Sequence, residues 1–403
     1  MNRLRAALVA GLVLRIVLIM LALVRRGKEA FLVPDSRGYL ALARNLSGGA
    51  FRNWFGDVEV FRTPGYPFLL TPGVWIGAPM AFAIAVNLLL TIAIVLATHA
   101  IARRYFDEKT AGLCALVVAI EPTLLTWSLK VMPETAFALA ILFVVFFARE
   151  KPFVAAIFIV AAAYLRPIAY PLVFVLCLLA FFAIGWRKAL VATAICIALL
   201  APWHLRNYAL TGFAGFSSVM DRAMYLSAGG SIAAERAGVS YAEMRKRMLE
   251  EDRVRAAASS ERQSRIRKKG LALIFSNPIG YAKTHVAGMA RTLFDPGAAE
   301  YLRILNLYDR GARDTPLREL PSRYPLVFFA SLSLAIALLP LVILPIVALA
   351  KSWRDPRFLL LAVIAGYLVF AGGGIPGNAR FRAPVVPLLV LMSGFARRSA
   401  TLV

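Results

Sequence analysis

Apolar runs close to the roughly 20 residues that an α-helix needs to cross hydrocarbon recur along this chain. Of its 403 residues 60% are hydrophobic and only 17% are charged, which excludes a soluble multidomain protein. The pattern predicts an all-α polytopic membrane protein forming a single membrane domain over 1–403, with no internal repeat and no low-complexity linker.

Hydropathy places about ten transmembrane helices near 6–24, 79–101, 111–128, 134–148, 152–165, 168–184, 188–203, 325–350, 358–371 and 382–396. With alternating crossings, one side receives Arg3 and Arg5, then Arg103, Arg104 and Lys109, then Arg149 and Lys151, Arg187 and Lys188, Lys351, Arg354 and Arg357, and Arg397 with Arg398. The positive-inside bias puts both termini in the cytoplasm. Two elaborations then face outward. The first outer loop, 25–78, carries a short amphipathic helix in PDSRGYLALARNL, where Tyr39, Leu42, Ala43 and Leu46 fall at helical spacing. The large outer loop, 204–324, reads as interfacial helices broken at Asn277 and Pro278.

The basic start MNRLRAALVAGLVLRIVLIMLALVRR has no small-residue cleavage site after a short apolar region, and is expected to be an uncleaved first span. Cys114, Cys177 and Cys196 lie in apolar segments without CxxC spacing and read as buried fillers. The net charge of +24 would suggest nucleic acid in a soluble domain, but no binding motif accompanies it; anionic headgroups of the lipid bilayer and a phosphate-bearing substrate account for the sign, and no nucleic acid is expected.

Charge near the bilayer centre costs about 2.5–3.5 kcal/mol per residue even on the lenient insertion scale, so where charges sit is informative. Asp35, Glu121, Lys130, Glu134, Arg166, Arg206, Arg380 and Arg382 all map to the outer ends of spans and converge on one face. Asp35, after Pro34, either caps the amphipathic helix or is a site acid. Glu134 either complements the dipole of the fourth span or serves the site, and Glu121 before Pro122 marks the interface. Arg62 in FRTPGYPFLL, Arg166 in YLRPIAYPL, Arg206 in PWHLRNY and the Arg380/Arg382 pair in GIPGNARFRAPVVPLL form a set suited to forking onto phosphate, since most stand beside helix-breaking Pro or Gly. Arg15, nearly mid-span, needs a partner, for which Asn87 and His99 are candidates. His204 and His285 are lone histidines, and no HxxxH or DxD spacing marks a metal site.

In order along the chain, PDSRGYLALARNL, RTPGYPFLL, VMPETAFAL, YLRPIAYPL, PWHLRNYALTG, NPIGYAKTH and ARFRAPVVPLLVLMSG resemble the outer-face motifs of the GT-C superfamily of polyprenyl-phosphate-sugar glycosyltransferases, particularly the bacterial protein O-mannosyltransferase and aminoarabinose transferase branch. The resemblance covers nearly the whole chain and implies a GT-C-like fold whose first outer loop holds a catalytic carboxylate. Its donor is a polyprenyl-phosphate sugar, and its acceptor a glycan, lipid or protein on the outer, periplasmic face of a bacterial inner membrane. Asp35 stands at the carboxylate position. Many relatives carry Asp-Glu there, and this chain has Asp35-Ser36. No cofactor is expected, and a divalent metal is left open.

Such a transfer needs a base for the acceptor proton and positive charge for the departing phosphate. Asp35 is the expected base and Glu134 the second catalytic carboxylate. Arg62, Arg166, Arg206, Arg380, Arg382 and Lys130 are the expected donor-phosphate ligands. Tyr39 and Tyr66 are candidates for stacking on the sugar or for packing at the interface. One base and one in-line displacement predict inversion at the sugar carbon. Two other readings remain: an O-antigen ligase or polymerase using His285 and Arg291, and a transporter or flippase of lipid-linked substrates, whose usual midplane broken helices and repeats are not apparent.

Overall fold

The computed structural model describes residues 2–251, 260–308, 315, 318–374 and 377–397. Arg398 and the Ile375-Pro376 step of the GIPGNARFR segment lie outside the described residues. Among those described, every regular element is helical, with one isolated antiparallel bridge between Arg52 and Val58. The protein is an all-α polytopic membrane protein.

The first part of the chain runs α1 (Asn2–Arg26), α2 (Pro34–Ser47), α3 (Gly65–Trp75), α4 (Pro79–Tyr105), α5 (Glu108–Ile120), α6 (Pro122–Ser128), α7 (Glu134–Phe147), α8 (Pro152–Leu165), α9 (Tyr170–Ala183) and α10 (Trp186–Thr211). The large loop follows with α11 (Val219–Arg222), a π-helical turn Ala223–Gly229, α12 (Gly230–Ala237), α13 (Tyr241–Glu251), α14 (Ser260–Ser276), α15 (Pro278–Phe294), α16 (Ala298–Ile304) and α17 (Leu320–Arg323). The chain closes with α18 (Pro325–Ser352), α19 (Pro356–Ala371), α20 (Ala379–Arg382) and α21 (Val386–Ala396). Proline opens α2, α4, α6, α8, α15, α18 and α19, where its missing N–H costs no bond and its fixed φ suits the first turn.

All ten expected spans coincide with helices. Among the described residues four helices, α1, α4, α10 and α18, are long and apolar enough to cross a membrane, or five if α5 and α6 count as one span bent by 51°. The other five apolar helices have 10–17 residues. A helix rises about 1.5 Å per residue, so these fall short of a hydrocarbon core about 30 Å thick. The bend has a local cause: Pro122 disfavours helical backbone at Glu121, which is extended at φ −60° and ψ 128°. The Glu121 carboxylate then caps α6 by accepting from the Leu124 N–H at 2.7 Å.

The core centres on α7, whose Phe137, Ile141, Leu142, Val144 and Val145 are buried among α4, α8 and α21. A helix apolar all round belongs inside. By contrast α1 presents Val9, Val13, Ile16, Val17 and Met20 outward. Hydrogen bonds sort the two ends of the bundle. At one end Arg3 donates to the Lys109 carbonyl, Arg104 to the Phe146 carbonyl, and Lys351 to the Ala396 carbonyl. At the other, the segments around residues 26–62, 121–134, 166, 206, 295–303 and 380 join one another. Glu134, the first residue of the most central helix, therefore opens toward the loop-rich end.

Candidate active site

Asp35 occupies the first turn of α2. The capping contact there is made by its neighbour: Ser36 Oγ accepts from the Val33 N–H at 3.0 Å, and Ser36 is fully buried. This leaves the Asp35 carboxylate for other partners, and it faces two guanidiniums. Arg380 Nη1 donates to its Oδ2 at 2.8 Å and Arg62 Nη2 to its Oδ1 at 3.2 Å.

Arg380 also bridges to the second acid. Its Nε donates to Glu134 Oε1 at 2.5 Å, and the same oxygen has Arg166 Nη1 at 3.4 Å. Arg166 follows α8 in extended backbone because Pro167 comes next. Short α20 holds Arg380 in place: Asn378 Oδ1 accepts from the Arg380 N–H at 2.9 Å, and Asp295 Oδ2 from the Ala379 N–H at 3.1 Å.

Aromatic rings frame this chain of charges. Arg62 lies over Tyr39 at 5.3 Å, Arg166 over Phe381 at 5.3 Å and Arg380 over Trp127 at 5.6 Å, within cation–π range. Tyr39 meets Tyr66 edge-to-face at 5.1 Å. Gly38, one turn after Asp35, leaves room for the guanidinium: a Cβ there would lie 2.8 Å from Arg62 Cζ. Gly65 of the PGYP segment likewise lets α3 pack on the Tyr164 carbonyl carbon, which a Cβ would approach to 2.7 Å.

Three guanidiniums thus face two carboxylates, leaving one formal positive charge in surplus. The Asp35 side chain is 42% exposed and that of Glu134 1%. Burial raises the Asp35 carboxyl, but Arg380 and Arg62 outweigh it and hold its pKa below the ordinary value. Two buried polar atoms beside the cluster, Glu134 Oε2 and Tyr66 Oη, have no hydrogen-bond partner among the described residues. Such orphans are costly unless a bound group satisfies them.

The other expected phosphate ligands stand elsewhere and are engaged by the protein. Lys130 is fully buried, donating to the Ala30 carbonyl at 2.7 Å and pairing with Glu300 at 2.6 Å. Arg206 donates to the Glu59 and Phe51 carbonyls at 2.7 and 2.9 Å and lies over Trp203. Arg382, fully buried, donates to the carbonyls of Thr292, Leu293 and Asp295 and to Thr123 Oγ1 at 2.6 Å, with Glu121 at 3.9 Å.

Arg15 finds its partners at the α5–α6 break, donating to the Ala119 carbonyl at 2.7 Å and to Ser128 Oγ at 2.9 Å. Neither Asn87 nor His99 serves it: Asn87 donates to the Lys130 carbonyl, and His99 lies beside Glu108. His285 Nδ1 meets the Tyr281 hydroxyl at 3.2 Å, and Arg291 donates to the Gly374 carbonyl. His204 Nδ1 is 2.7 Å from the Ala214 carbonyl oxygen. Among the described residues no three His, Cys, Asp or Glu side chains gather as a metal site requires.

Sequence reasoning missed Ser36 as the capping residue, Gly38, and the Trp127 and Phe381 rings. Gly38 had a signal, because i and i+3 share a helix face. The rings had none, since each is one aromatic among many in an apolar chain.

No family model matches the sequence, and no curated protein matches it. Among solved structures, the crystal structure of ArnT from Cupriavidus metallidurans bound to undecaprenyl phosphate is similar to this chain at a TM-score of 0.40 and 15% identity. The likeness takes in 96% of this chain, which spans 60% of the length of that one.

Proposed function

We propose that this protein is an integral membrane glycosyltransferase that moves a sugar from a polyprenyl-phosphate donor to an acceptor hydroxyl, with inversion, on the outer face of a bacterial inner membrane. The observation that carries the reading is the bridge from Asp35 through Arg380 to Glu134, flanked by Arg62 and Arg166. Its surplus positive charge and forked donors suit a phosphate monoanion.

In this reading Arg166 and Arg380 take the donor's phosphate oxygens. A phosphate that draws Arg380 away from Asp35 removes the partner that depresses the carboxylate's basicity, so donor binding itself arms the base. Asp35 then accepts the acceptor's hydroxyl proton as the acceptor oxygen bonds to the anomeric carbon. The bond from that carbon to the phosphate oxygen breaks, and polyprenyl phosphate departs as an anion held by the guanidiniums. The unpartnered Glu134 Oε2 and Tyr66 Oη would accept from and donate to sugar hydroxyls. Lys130, Arg206 and Arg382 hold the scaffold around the donor site.

Transfer or slow hydrolysis of a panel of polyprenyl-phosphate sugars, wild type against Asp35→Asn, tests this. Turnover by wild type and its loss in the variant are expected. Equal turnover by both removes Asp35 from the chemistry, and retained configuration in the product overturns inversion.

A further inference from the structure

Between α2 and α3 the chain that delivers Arg62 has no regular structure from Glu59 to Thr63, yet its main chain is tied down residue by residue. The Glu59 carbonyl accepts from Arg206 Nη1 at 2.7 Å, the Val60 carbonyl from the Ser218 N–H at 2.9 Å and the Phe61 carbonyl from Ser217 Oγ at 2.6 Å. Two N–H groups go to a side chain of the same segment. Glu59 Oε1 accepts from the Phe61 N–H at 2.6 Å and from the Arg62 N–H at 2.9 Å.

Glu59 is only 5% exposed. A buried carboxylate is costly unless hydrogen bonds satisfy it, and so is a main-chain N–H without an acceptor, so each supplies what the other lacks. A helix or strand would pair those N–H groups with backbone; here the side chain three residues before Arg62 does so. The consequence falls on Arg62, whose guanidinium ends a long, rotamer-rich side chain and stops where its main chain starts it. From this start Nη2 reaches Asp35 Oδ1 at 3.2 Å and the guanidinium lies over Tyr39, in the space left by Gly38. On the far side of Arg62, Pro64 and Gly65 lead into α3. Glu59 is the hold on the side that no helix orders.

We propose that Glu59 is a positioning residue of the active site: by accepting the N–H groups of Phe61 and Arg62 it sets the backbone from which Arg62 reaches Asp35. It touches neither donor nor acceptor and acts through Arg62. Arg206 fixes Glu59 in turn, since its two terminal nitrogens hold the Glu59 and Phe51 carbonyls together. The proposal rests on the transferase reading, in which Asp35 is the base and Arg62 its partner.

The test compares Glu59→Met, which keeps the bulk and offers no strong acceptor, with Glu59→Gln, whose amide oxygen accepts the same two N–H groups. The full-length proteins in neutral detergent are treated at one mildly acid pH with a water-soluble carbodiimide and glycine ethyl ester, and labelling of Asp35 is followed by peptide mass spectrometry beside donor turnover. Arg62 helps hold the Asp35 carboxyl below its ordinary pKa, so an Arg62 moved away leaves more of it protonated, the form that carbodiimide consumes. Glu59→Met should therefore label faster at Asp35 and turn over about tenfold more slowly, while Glu59→Gln keeps both near wild type. Arg62→Met should label as fast as Glu59→Met, and the double variant no faster than either. A wild-type labelling rate in Glu59→Met, equal gains in Met and Gln, or additive gains in the double variant each overturn the proposal. Should Glu59→Met not fold, a raised rate in Glu59→Gln overturns it and a wild-type rate supports it. Labelling is read without donor, so its failure leaves the Asp35→Asn result intact, and a wild type without turnover ends the transferase reading while the labelling comparison stands.

Discussion

Arg380 and Arg382 stand two residues apart on the same short helix and live in opposite surroundings. Arg380 spends its hydrogen bonds on two carboxylates, one of them nearly half exposed. Arg382 is fully buried and spends its bonds on three main-chain carbonyls and a hydroxyl. Carbonyls cannot leave without unfolding the helix ends they belong to, whereas a carboxylate can yield to phosphate, which offers forked acceptor oxygens of the same kind. Arginine bound to a half-exposed carboxylate is therefore exchangeable, and arginine bound to carbonyls in the core is structural.

The largest effect expected from this contrast is on chemistry. Asp35→Asn should reduce donor turnover by about 10²- to 10⁴-fold, the usual worth of a general base, with thermal unfolding in detergent near wild type. Arg382→Met should do the reverse, lowering stability by about 3 kcal/mol through orphaned acceptors around Thr292–Asp295. Scanning calorimetry and turnover per folded molecule measure the two sides. If Arg382→Met folds as wild type and loses turnover instead, the division between exchangeable and structural arginines is wrong.

A third change sharpens the position of Arg62. Gly38→Ala puts a Cβ 2.8 Å from Arg62 Cζ, so the guanidinium that pairs with Asp35 must shift. Alanine favours a helix interior by about 0.5–1 kcal/mol over glycine. Stability should hold or rise slightly while donor turnover falls about tenfold from the misplaced charge. A drop in both would mean that the space at Gly38 serves packing alone.

Much of this architecture was legible in the sequence, because apolar runs and prolines act locally. Each expected span is helical, and Pro34, Pro79, Pro122, Pro152, Pro278, Pro325 and Pro356 open helices. Crossing number was less legible, since composition identifies apolar helices but α7, α8, α9, α19 and α21 are short. Among the candidate residues, Asp35, Arg62, Glu134, Arg166, Arg380, Tyr39 and Tyr66 gather, while Lys130, Arg206 and Arg382 do not. Nothing in the string separates Arg380 from Arg382, because the distinction lies in which distant carbonyls, such as those at the end of α15, arrive beside each guanidinium.

The smallest expected effect concerns acid. Glu300 and Asp35 both have carboxyl pKa values below ordinary. Burial opposes this at Glu300 but is outweighed by Lys130 and Arg303, at 2.6 and 3.1 Å. A carboxyl whose folded pKa is depressed adds stability above its unfolded value, and that stability is lost as pH falls through the folded value. Glu300, 13% exposed, should contribute the visible part of the acid limb of thermal stability, and Asp35, 42% exposed and screened by water, little of it. Melting wild type, Glu300→Gln and Asp35→Asn from pH 7 down to about pH 3 separates them. The Glu300 variant should flatten the limb and the Asp35 variant leave it nearly unchanged. The opposite ranking would make the Asp35–Arg380 pair a structural strut, and would remove the reason to expect phosphate to displace it.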